Sequence, residues 1–473
     1  MQRREFLQGV AASTLALTLA AKIPATPRRA KVLVVGAGLS GMAAALELKN
    51  AGFEVIVLEG DSRPGGRVHT LREPFSDGLY AEAGAGRIPS THDLTLKYVR
   101  QFNLQLAPFY PASGAEVYYI KGKRQRVDAA HPLDMSKVAL SLTAAERRIG
   151  ISKWEAKYMD GAQREVGRVS SRDWPSQAVL KAYGSISIQD FLRAQGASDD
   201  AIEMLVSGYQ SEAALDFLRD LASHQAPMLS KIVGGNDLLP RAFAAKLSEQ
   251  IIYGAKVVRM EQTGEHVKVS FIQGGMTRTQ EADYIICAIP FTILRSIEVS
   301  PAFSEEKRLA IESMTYGAVS RVFLQTHTKF WTKEGNTGFA TVDRAMEIWN
   351  PTWNQSGNRG LLMAYAYEHL AREIAAQTPA DRVTTMLHYF DQVHPGVKDN
   401  FEVGASWVWE EQPFTKGAYC VYQPGELSTI LPAAMRPEKR ILFAGEHCSS
   451  HPAWMQGALE SGLRAAETIQ HAN

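Results

Sequence analysis

Residues 31–70 read KVLVVGAGLSGMAAALELKNAGFEVIVLEGDSRPGGRVHT, and glycines interrupt the first apolar run at Gly36, Gly38 and Gly41. The run KVLVV predicts a buried parallel strand, and the alanine- and leucine-rich segment behind it has the period of a helix. A second apolar run, EVIVLE, ends at Glu59. This order predicts a strand, a helix and a second, parallel strand packed as one unit.

Each glycine of this loop has its own structural reason. Gly36 permits a tight turn, Gly38 removes the Cβ that would block a pyrophosphate, and Gly41 lets the helix pack closely on the strand. The start of the helix offers free N–H groups and the positive end of its dipole to phosphates. Glu59, 18 residues after Gly41, can accept hydrogen bonds from ribose hydroxyls. The loop therefore predicts a dinucleotide site, for either NAD or FAD.

Length and composition are those of an ordinary globular protein. With 473 residues, the chain is longer than one hydrophobic core supports, so two or three domains are expected. Hydrophobic residues make up 45% and charged residues 21%, which argues against a disordered or membrane-embedded chain. Lys and Arg number 51 against 50 Asp and Glu, so no surplus charge attracts nucleic acid or an anionic membrane. We therefore expect a small-molecule partner.

The three cysteines, Cys287, Cys420 and Cys448, are too few and too scattered for a disulfide framework or a metal cluster. Cys287 lies within the apolar run YIICAIP, which is typical of a small buried side chain. One isolated bridge between Cys420 and Cys448 stays open at this point. No metal site is predicted.

The N-terminal segment has the layout of an export signal. Paired arginines at Arg3 and Arg4 precede a weakly apolar run of small residues that ends near Ala21. This layout is typical of a twin-arginine signal, and the run is too short and too rich in alanine for a membrane-spanning helix. We therefore expect residues 1–30 to be a signal peptide and the mature protein to be periplasmic or secreted. An anchoring N-terminal helix is the alternative.

The segment RPGGRVHT favours FAD over NAD. Gly65, Gly66 and Arg67 follow the ribose-binding acid, so the backbone approaches the dinucleotide a second time beside a guanidinium suited to phosphate. This stretch resembles the FAD-binding signature of the flavin-containing amine oxidase superfamily. The terminal segment RILFAGEHCSSHPAWMQGALESGLRAAETI and the central segments VGGNDLLPRAFAAKL and IIYGAKVVRMEQ are also similar to that family. Within it, the sequence is most like bacterial L-amino-acid oxidases.

The resemblance implies an α/β fold with a discontinuous FAD-binding domain of the Rossmann type. A substrate-binding domain with a mixed sheet is expected where the strand-like runs SRVFLQTH, GLLMAYAY and GASWVW occur, and amphipathic segments predict a helical domain. The expected bounds are 31–66, 236–290 and 436–473 for the FAD-binding domain, 67–125 and 318–420 for the substrate-binding domain, and 126–232 for the helical domain.

The resemblance also assigns residues to the cofactor. In the family, the acid of the turn before the last helix holds the ribityl chain, here Glu446, and the backbone at Val257 meets the adenine. Where some relatives carry the cysteine that attaches flavin covalently, this chain has Ala418, and Cys420 is two residues away, so we predict non-covalent FAD. The full cofactor-binding set is Gly36, Gly38, Gly41, Glu59, Gly66, Arg67, Gly86, Arg87, Val257, Gly445, Glu446, Trp454 and Met455.

The segment YAEAGAGRIPSTH at residues 80–92 concerns the substrate. In L-amino-acid oxidases an arginine at this point, here Arg87, grips the substrate carboxylate, and monoamine oxidases lack it. The role suits a guanidinium, a fixed planar cation that binds carboxylates through two parallel hydrogen bonds. A surface or cofactor-facing arginine is the alternative. Tyr365 matches a second carboxylate partner in the family, although Tyr367 on the same strand face is an alternative.

Further aromatic and charged positions are expected near the flavin. Tyr419 and Trp454 match the aromatic pair that flanks the substrate nitrogen in monoamine oxidases, with simple core packing as the alternative. Trp409 is expected in the same region. Arg321 stands where the family usually places a lysine close to flavin N5, and a guanidinium is bulkier and stays protonated. This departure allows slower reaction with oxygen, or a dehydrogenase that uses another acceptor.

The resemblance implies FAD-dependent oxidative deamination of L-amino acids to 2-oxo acids, ammonia and hydrogen peroxide, by hydride transfer from Cα to flavin N5. The partners are then an amino acid and oxygen. The alternatives are an amine or polyamine oxidase or dehydrogenase, an amino-acid 2-monooxygenase, and a flavoprotein without activity. Solvent, His92 or His447 would take the amine proton. Acidic residues in the helical domain would favour basic substrates, and related enzymes are often homodimers.

Overall fold

The computed structural model describes residues 30–167, 169, 174–224 and 228–472. The predicted signal peptide at residues 1–30 lies outside the described residues except for Ala30. Within the described part of the chain, no helix has both the length and the apolar character needed to cross a membrane.

The strands in chain order are β1 Lys31–Val35, β2 Glu54–Leu58, β3 Thr70–Leu71, β4 Ala81–Glu82, β5 Ile88–Pro89, β6 Leu106–Pro108, β7 Ala115–Ile120, β8 Lys123–Val127, β9 Leu229–Ile232, β10 Ile251–Ile252, β11 Lys256–Thr263, β12 His266–Gln273, β13 Met276–Ala282, β14 Tyr284–Cys287, β15 Glu298–Ser300, β16 Thr315–Tyr316, β17 Val319–Thr326, β18 Asn336–Val342, β19 Met346–Trp349, β20 Gly360–Tyr367, β21 Phe401–Val408, β22 Cys420–Val421 and β23 Ile441–Phe443.

The α-helices are α1 Leu39–Asn50, α2 Asp93–Gln101, α3 Ala144–Ile149, α4 Trp154–Val166, α5 Gln177–Tyr183, α6 Ile188–Ala194, α7 Asp199–Val206, α8 Ala214–His224, α9 Leu238–Lys246, α10 Phe291–Leu294, α11 Glu305–Ser313, α12 Glu368–Ala375, α13 Pro379–Val393, α14 Val397–Asn400, α15 Glu426–Met435 and α16 Met455–His471. Short 3₁₀ turns occur at Met135–Lys137, Ile151–Lys153, Phe330–Glu334 and Glu446–Cys448.

A five-stranded sheet carries the glycine loop. Its order is β10–β2–β1–β14–β23, and every neighbouring pair is parallel. The helices α1 and α16 pack against each other beside this sheet, and the central strands are buried, as their unbroken apolar runs predict. The strands come from three distant stretches of the chain, so the prediction of a discontinuous, Rossmann-type α/β unit is confirmed.

A seven-stranded sheet forms the second layer of the site. Its order is β21–β17–β20–β19–β18–β7–β8, with β18 and β7 parallel and the other pairs antiparallel, so the sheet is mixed as predicted. Every residue of β17 is buried. The register sets Arg321 of β17 opposite Tyr365 of β20 and Trp407 of β21. Three strands thus bring distant side chains to one place.

The region between β8 and β9 is helical, and it consists of six short helices, α3 to α8. Thr143 and Glu146 form a capping box that starts α3, and Gly150, with φ of 79°, ends it. Ser198 caps α7 just after Gly196, whose φ is 83°. Caps and left-handed glycines therefore separate α3 from α4 and α6 from α7. The exact domain bounds stay a prediction.

Candidate active site

A cavity of about 1340 Å³ connects the glycine loop with the seven-stranded sheet. Its wall includes residues of β1 and β2 on one side, of β17, β19 and β20 on another, and of α7 and α8 from the helical region. Ordinary ligand pockets hold roughly 300–1,000 Å³. The cavity therefore has room for a dinucleotide and a small substrate together.

The glycines of the loop differ in what an added side chain would meet. A Cβ on Gly41 would lie 2.0 Å from the carbonyl oxygen of Gly36, whose own φ is 105°. A Cβ on Gly38 would meet no protein atom within 4 Å, and Gly38 lines the cavity. The close approach of Gly41 to Gly36 reflects tight packing of the helix on the strand. Bare backbone at Gly38 fits the close approach of a phosphate.

Glu59 is fixed beside this loop at the end of β2. Its Oε2 accepts a hydrogen bond from the Ala37 N–H at 2.6 Å, and its Oε1 accepts one from the Asp61 N–H at 2.7 Å. Burial raises the pKa of this carboxyl, and the two backbone donors oppose the rise. The carboxyl lines the cavity, which is the position that ribose recognition requires.

Arg67 and Glu446 join the two ends of the chain inside the cavity. Arg67 Nη1 donates to Glu446 Oε1 at 2.6 Å, and the Ala453 N–H donates to Oε2 at 2.7 Å. Burial would raise the pKa of Glu446, but Arg67, with His447 and the Ala453 N–H, outweighs it and holds the pKa below its ordinary value. A Cβ on Gly462 of α16 would lie 2.1 Å from the Ser40 carbonyl oxygen. The last helix therefore packs directly against the start of α1.

Arg87 lines the cavity just before β5 and already contacts a carboxylate. Its Nη1 donates to Glu347 Oε2 at 3.2 Å, and its Cζ lies 5.0 Å from the centre of the Trp349 ring. Trp349 Nε1 donates to the same Glu347 oxygen at 2.8 Å. Burial would lower the pKa of Arg87, but Glu347 together with nearby tyrosines outweighs it and raises the pKa above its ordinary value. Arg87 is a permanent, oriented cation in the cavity wall.

Tyrosine hydroxyls form a short chain beside Arg87. The Tyr419 hydroxyl lies 3.1 Å from that of Tyr365 and 2.7 Å from that of Tyr209. The Tyr209 ring stacks on that of Tyr367, with ring centres 4.8 Å apart. All four tyrosines line the cavity, so the structure does not choose between Tyr365 and Tyr367 by position alone. The hydroxyl contact with Tyr419 belongs to Tyr365.

Arg321 lies against the rings of Tyr365 and Trp349. Its Nη1 donates to the Glu82 carbonyl oxygen at 2.5 Å, and its Cζ lies 4.4 Å from the centre of the Tyr365 ring. Among the described residues, its Nε finds no hydrogen-bond acceptor. Burial lowers the pKa of this guanidinium. Arg321 lines the cavity as a second cation, in place of the lysine that the resemblance leads us to expect.

The predicted aromatic pair also reaches the cavity. Tyr419 and Trp454 both line it, and Trp454 Nε1 donates to Asp220 Oδ1 at 2.6 Å. The Trp454 ring stands edge-on to that of His92, with centres 4.9 Å apart. Trp409 lines the cavity too, and its Nε1 donates to the Ala83 carbonyl oxygen at 2.8 Å. Each indole is thus fixed by one hydrogen bond.

The histidines named as proton acceptors are badly placed for that role. In the described part of the chain, His92 and His447 do not line the cavity. His447 is fully buried, and burial lowers its pKa to about 3. His69 does line the cavity, beside Trp407, and burial with the nearby Arg63 lowers its pKa to about 4. All of the catalytic set predicted from the sequence, by contrast, lines the cavity: Arg87, Arg321, Tyr365, Tyr419 and Trp454.

The cofactor set predicted from the sequence lines the same cavity, with one exception. The members that line it are Gly36, Gly38, Glu59, Gly66, Arg67, Gly86, Arg87, Val257, Gly445, Glu446, Trp454 and Met455. Gly41 stands behind the loop, in the packing position expected of it. The roles of individual residues remain predictions, but their common location is a structural fact.

Among the cavity residues that the sequence reasoning missed are Tyr209, Glu212 and Glu347. Glu347 gave no signal, because a single acid in the short strand β19 is an ordinary occurrence. Glu212 gave one. With Asp216 and Asp220 it forms a run of acids spaced by four residues that leads into α8, and this spacing places residues on one helix face.

All three cysteines are free and buried, so the isolated bridge between Cys420 and Cys448 does not form. Cys420 lines the cavity, and its N–H donates to Glu446 Oε1 at 3.4 Å. Burial raises the pKa of its thiol well above the ordinary value.

Comparison with known proteins extends over nearly the whole chain. The family described as flavin containing amine oxidoreductase matches residues 39–470. YobN of Bacillus subtilis (strain 168), provisionally named an L-amino-acid oxidase, is 31% identical over 455 residues, which cover 93% of this chain and 94% of that protein. The L-amino-acid oxidase of Vipera ammodytes ammodytes is 27% identical over 456 residues, 93% of each chain.

Solved structures share the fold. A putrescine oxidase bound to putrescine superimposes with a TM-score of 0.80 at 21% identity, over 94% of this chain and 99% of that one. Cyclohexylamine oxidase from Brevibacterium oxydans IH-35A gives a TM-score of 0.78 at 21% identity with the same coverage. Because the family match spans most of the sequence, the chain belongs to the flavin-containing amine oxidoreductase family.

Proposed function

We propose that the protein binds FAD non-covalently and oxidatively deaminates L-amino acids. The observation that carries the proposal is the position of Arg87, a permanent cation in the wall of the cavity that also contains the glycine loop. Simple amines offer no group for such a cation to bind. The L-amino-acid oxidase names of the relatives agree with this choice, and the raised pKa of the Cys420 thiol favours a cofactor that is not attached there.

Each cavity residue has a role in this proposal. Arg87 has five N–H donors, and Glu347 contacts Nη1, so donors remain for a substrate carboxylate. Tyr365 offers its hydroxyl to the same carboxylate. Tyr419 and Trp454 flank the amine and exclude water. When bound, FAD supplies the hydride acceptor for the Cα–H bond and passes the electrons on to oxygen.

The test is the variant Arg87→Ala, compared with Arg344→Ala, an exposed arginine outside the cavity. We expect kcat/KM for L-amino acids to fall by about 100-fold or more in Arg87→Ala, because the carboxylate of the bound substrate loses its cationic partner. Activity toward simple amines should not fall. Wild-type turnover confined to amines without a carboxylate would contradict the proposal.

An amine or polyamine oxidase is the second candidate, and one observation favours it. Glu347 already neutralises Arg87, which a substrate without a carboxylate would leave undisturbed. A screen of amino acids and amines decides between the two. Arg321 at the usual lysine position makes the acceptor a separate question, so peroxide formation and dye reduction are measured side by side. Analysis of the organic product separates deamination from oxygenative decarboxylation to an amide.

We also propose that the protein is exported through the twin-arginine route, on the sequence of residues 1–30 alone. Replacing Arg3 and Arg4 by lysine should retain the protein in the cytoplasm, as measured by cell fractionation. An unchanged distribution would contradict export by this route. A homodimer, expected from the resemblance, is testable by light scattering on the same preparation.

A further inference from the structure

An acidic stripe lies along the helical wall of the cavity. Glu212, Asp216 and Asp220 are spaced by four residues, and all three line the cavity. Two of the three have partners. Asp216 is bonded to Arg219 and also accepts from the Tyr422 N–H at 2.7 Å, while Asp220 accepts from Trp454 Nε1 at 2.6 Å.

Glu212 differs from the other two. Its side chain is buried, with the residue only 8% exposed, yet among the described residues no group donates a hydrogen bond to its carboxyl. The backbone of Glu212 is engaged, since its N–H donates to the Tyr209 carbonyl and its own carbonyl accepts from the Ile188 N–H. A buried carboxyl without a donor is costly unless a ligand supplies one. Glu212 lines the cavity, so a ligand there can supply the missing donor.

The charges around Glu212 favour a cation. Burial raises the pKa of its carboxyl well above the ordinary value, and Asp220 and Glu368 raise it further, while Arg219 opposes them. Arg219 is bonded to Asp216, so its charge is largely balanced. A cationic group entering the cavity would remove this like-charge repulsion and supply the missing hydrogen-bond donors.

Tyrosine side chains line the cavity near Glu212. Tyr209 and Tyr367 are stacked, and Tyr209 is bonded to the Tyr419 hydroxyl. Tyrosine rings attract ammonium and guanidinium groups through their faces. Tyr419 is close enough to interact electrostatically with both Arg87 and Glu212. One ligand can therefore meet the guanidinium of Arg87 and the carboxyl of Glu212.

We propose that Glu212 binds the positively charged side chain of the substrate, so that the protein prefers L-amino acids with an ammonium or guanidinium group at the end of the side chain. This inference rests on the proposed function, because it places the α-carboxylate on Arg87. The tyrosines line the path of the aliphatic chain between the two charges. Glu212 is then a specificity-determining residue, and it takes no part in hydride transfer.

The kinetic test compares L-lysine with L-norleucine, which has the same carbon chain without the terminal ammonium. In the wild-type holoenzyme we expect kcat/KM for L-lysine to exceed that for L-norleucine by about tenfold or more, the usual effect of a hydrogen bond to a charged group. In Glu212→Gln this ratio should collapse toward one, and Glu212→Asp should restore part of it. A ratio that is unchanged in Glu212→Gln, or a wild type without preference for L-lysine, overturns the proposal.

The matched control is Glu203→Gln, from the same helical region. Glu203 already accepts hydrogen bonds from Ser207 Oγ and Gln210 Nε2, both at 2.7 Å, and it does not line the cavity. Glu203→Gln should keep the wild-type ratio. An equal fall for both substrates in Glu212→Gln would mean that Glu212 binds the α-amine or supports the fold, and this result also overturns the proposal.

A binding measurement avoids turnover altogether. Isothermal titration calorimetry of the holoenzyme compares 6-aminohexanoate with hexanoate, which lack the α-amine. The first should bind about tenfold more tightly in the wild type and no more tightly in Glu212→Gln.

Failure of the proposed function looks different. The wild type would then oxidise amines but no amino acids. A comparison of kcat/KM for cadaverine and for 1-aminopentane, which lacks the second ammonium, would still measure the preference for a cation. A cadaverine preference lost in Glu212→Gln supports the role of Glu212, and one retained there overturns it.

Discussion

The two ends of the cavity are built in different ways. The cofactor end is formed mainly by backbone. Gly36 and Gly38 bring the main chain to the cavity, and Glu59 is held by two backbone N–H groups. At the substrate end, side chains from distant segments converge. Arg87 and Glu347 are 260 residues apart along the chain and lie in direct contact.

The difference determines which kind of site can be recognised from the sequence. A site made of backbone needs glycines at fixed spacing within one short segment, so one stretch of sequence reveals it. A site made of side chains needs only residues whose positions the sheet and the helices determine. The cofactor end should therefore fail when backbone geometry changes, and the substrate end when charge changes.

The largest expected effect comes from a pair of glycine variants. In Gly41→Ala the new methyl group would meet the Gly36 carbonyl oxygen at 2.0 Å, so both folding and flavin binding should be lost. In Gly38→Ala the methyl group meets no protein atom, so the fold should persist while flavin content falls by about tenfold or more. Circular dichroism and the ratio of flavin to protein absorbance measure the two properties.

The pair is its own control, since both changes add one methyl group to the same loop. Gly38→Ala with full flavin content would show that the open space at Gly38 is not where the dinucleotide lies. The contrast between a backbone-built and a side-chain-built end would then break down.

A second prediction concerns a buried lysine outside the cavity. Lys307 is fully buried outside the cavity, with its Nζ donating to the Ala434 carbonyl oxygen at 2.8 Å and lying 3.6 Å from the centre of the Phe443 ring. Burial lowers its pKa from 10.5 to about 7. The unfolded chain therefore holds more protons than the folded protein between pH 7 and 10.5, and the unfolding free energy rises with pH across that window.

Lys307→Met removes this titration. Relative to the variant, the wild type should gain about 1 kcal/mol of unfolding free energy per pH unit between about pH 8 and 10. Chemical denaturation at several pH values measures the difference, and kcat should be the same in both proteins. A difference that does not vary with pH would show that Lys307 stays protonated in the folded protein.

The smallest expected effect is at the substrate end. Glu347→Gln frees Arg87 from a competing carboxylate while its amide oxygen can still accept from Trp349 Nε1. We expect KM for L-amino acids to fall about threefold, since a partly exposed ion pair contributes up to about 1 kcal/mol. Stability should hardly change. A raised KM would mean that Glu347 orients Arg87 and does not compete with the substrate.

The sequence predicted the cofactor end well for a physical reason. Residues 31–59 contain the strand, the glycine turn, the helix and the acid in one local pattern, and the structure has β1, α1 and β2 with nearly the same bounds. The strand runs around Arg321 and Tyr365 were equally readable, because buried strands carry long apolar runs. Local signals of this kind do not depend on contacts between distant segments of the chain.

The substrate end was predicted only as far as the resemblance reached. Arg87, Tyr365, Tyr419 and Trp454 came from matched motifs, and no periodicity or spacing would have joined them. Glu347 was missed because its partner lies on another element, and Glu212 because its spacing of acids is common on exposed helices as well. Burial decides between those readings, and burial depends on the tertiary fold.

The closing of α16 against Ser40 through Gly462 has a consequence for biogenesis. The strand β23 and the helix α16 occupy residues 441–471, yet they complete a sheet that begins at residue 31. During synthesis on the ribosome, the glycine loop is made first, and its sheet stays incomplete until residues 441–471 are made. Loading of the prosthetic group is accordingly a post-translational event, and a chain that terminates before its final helix would accumulate as apoprotein.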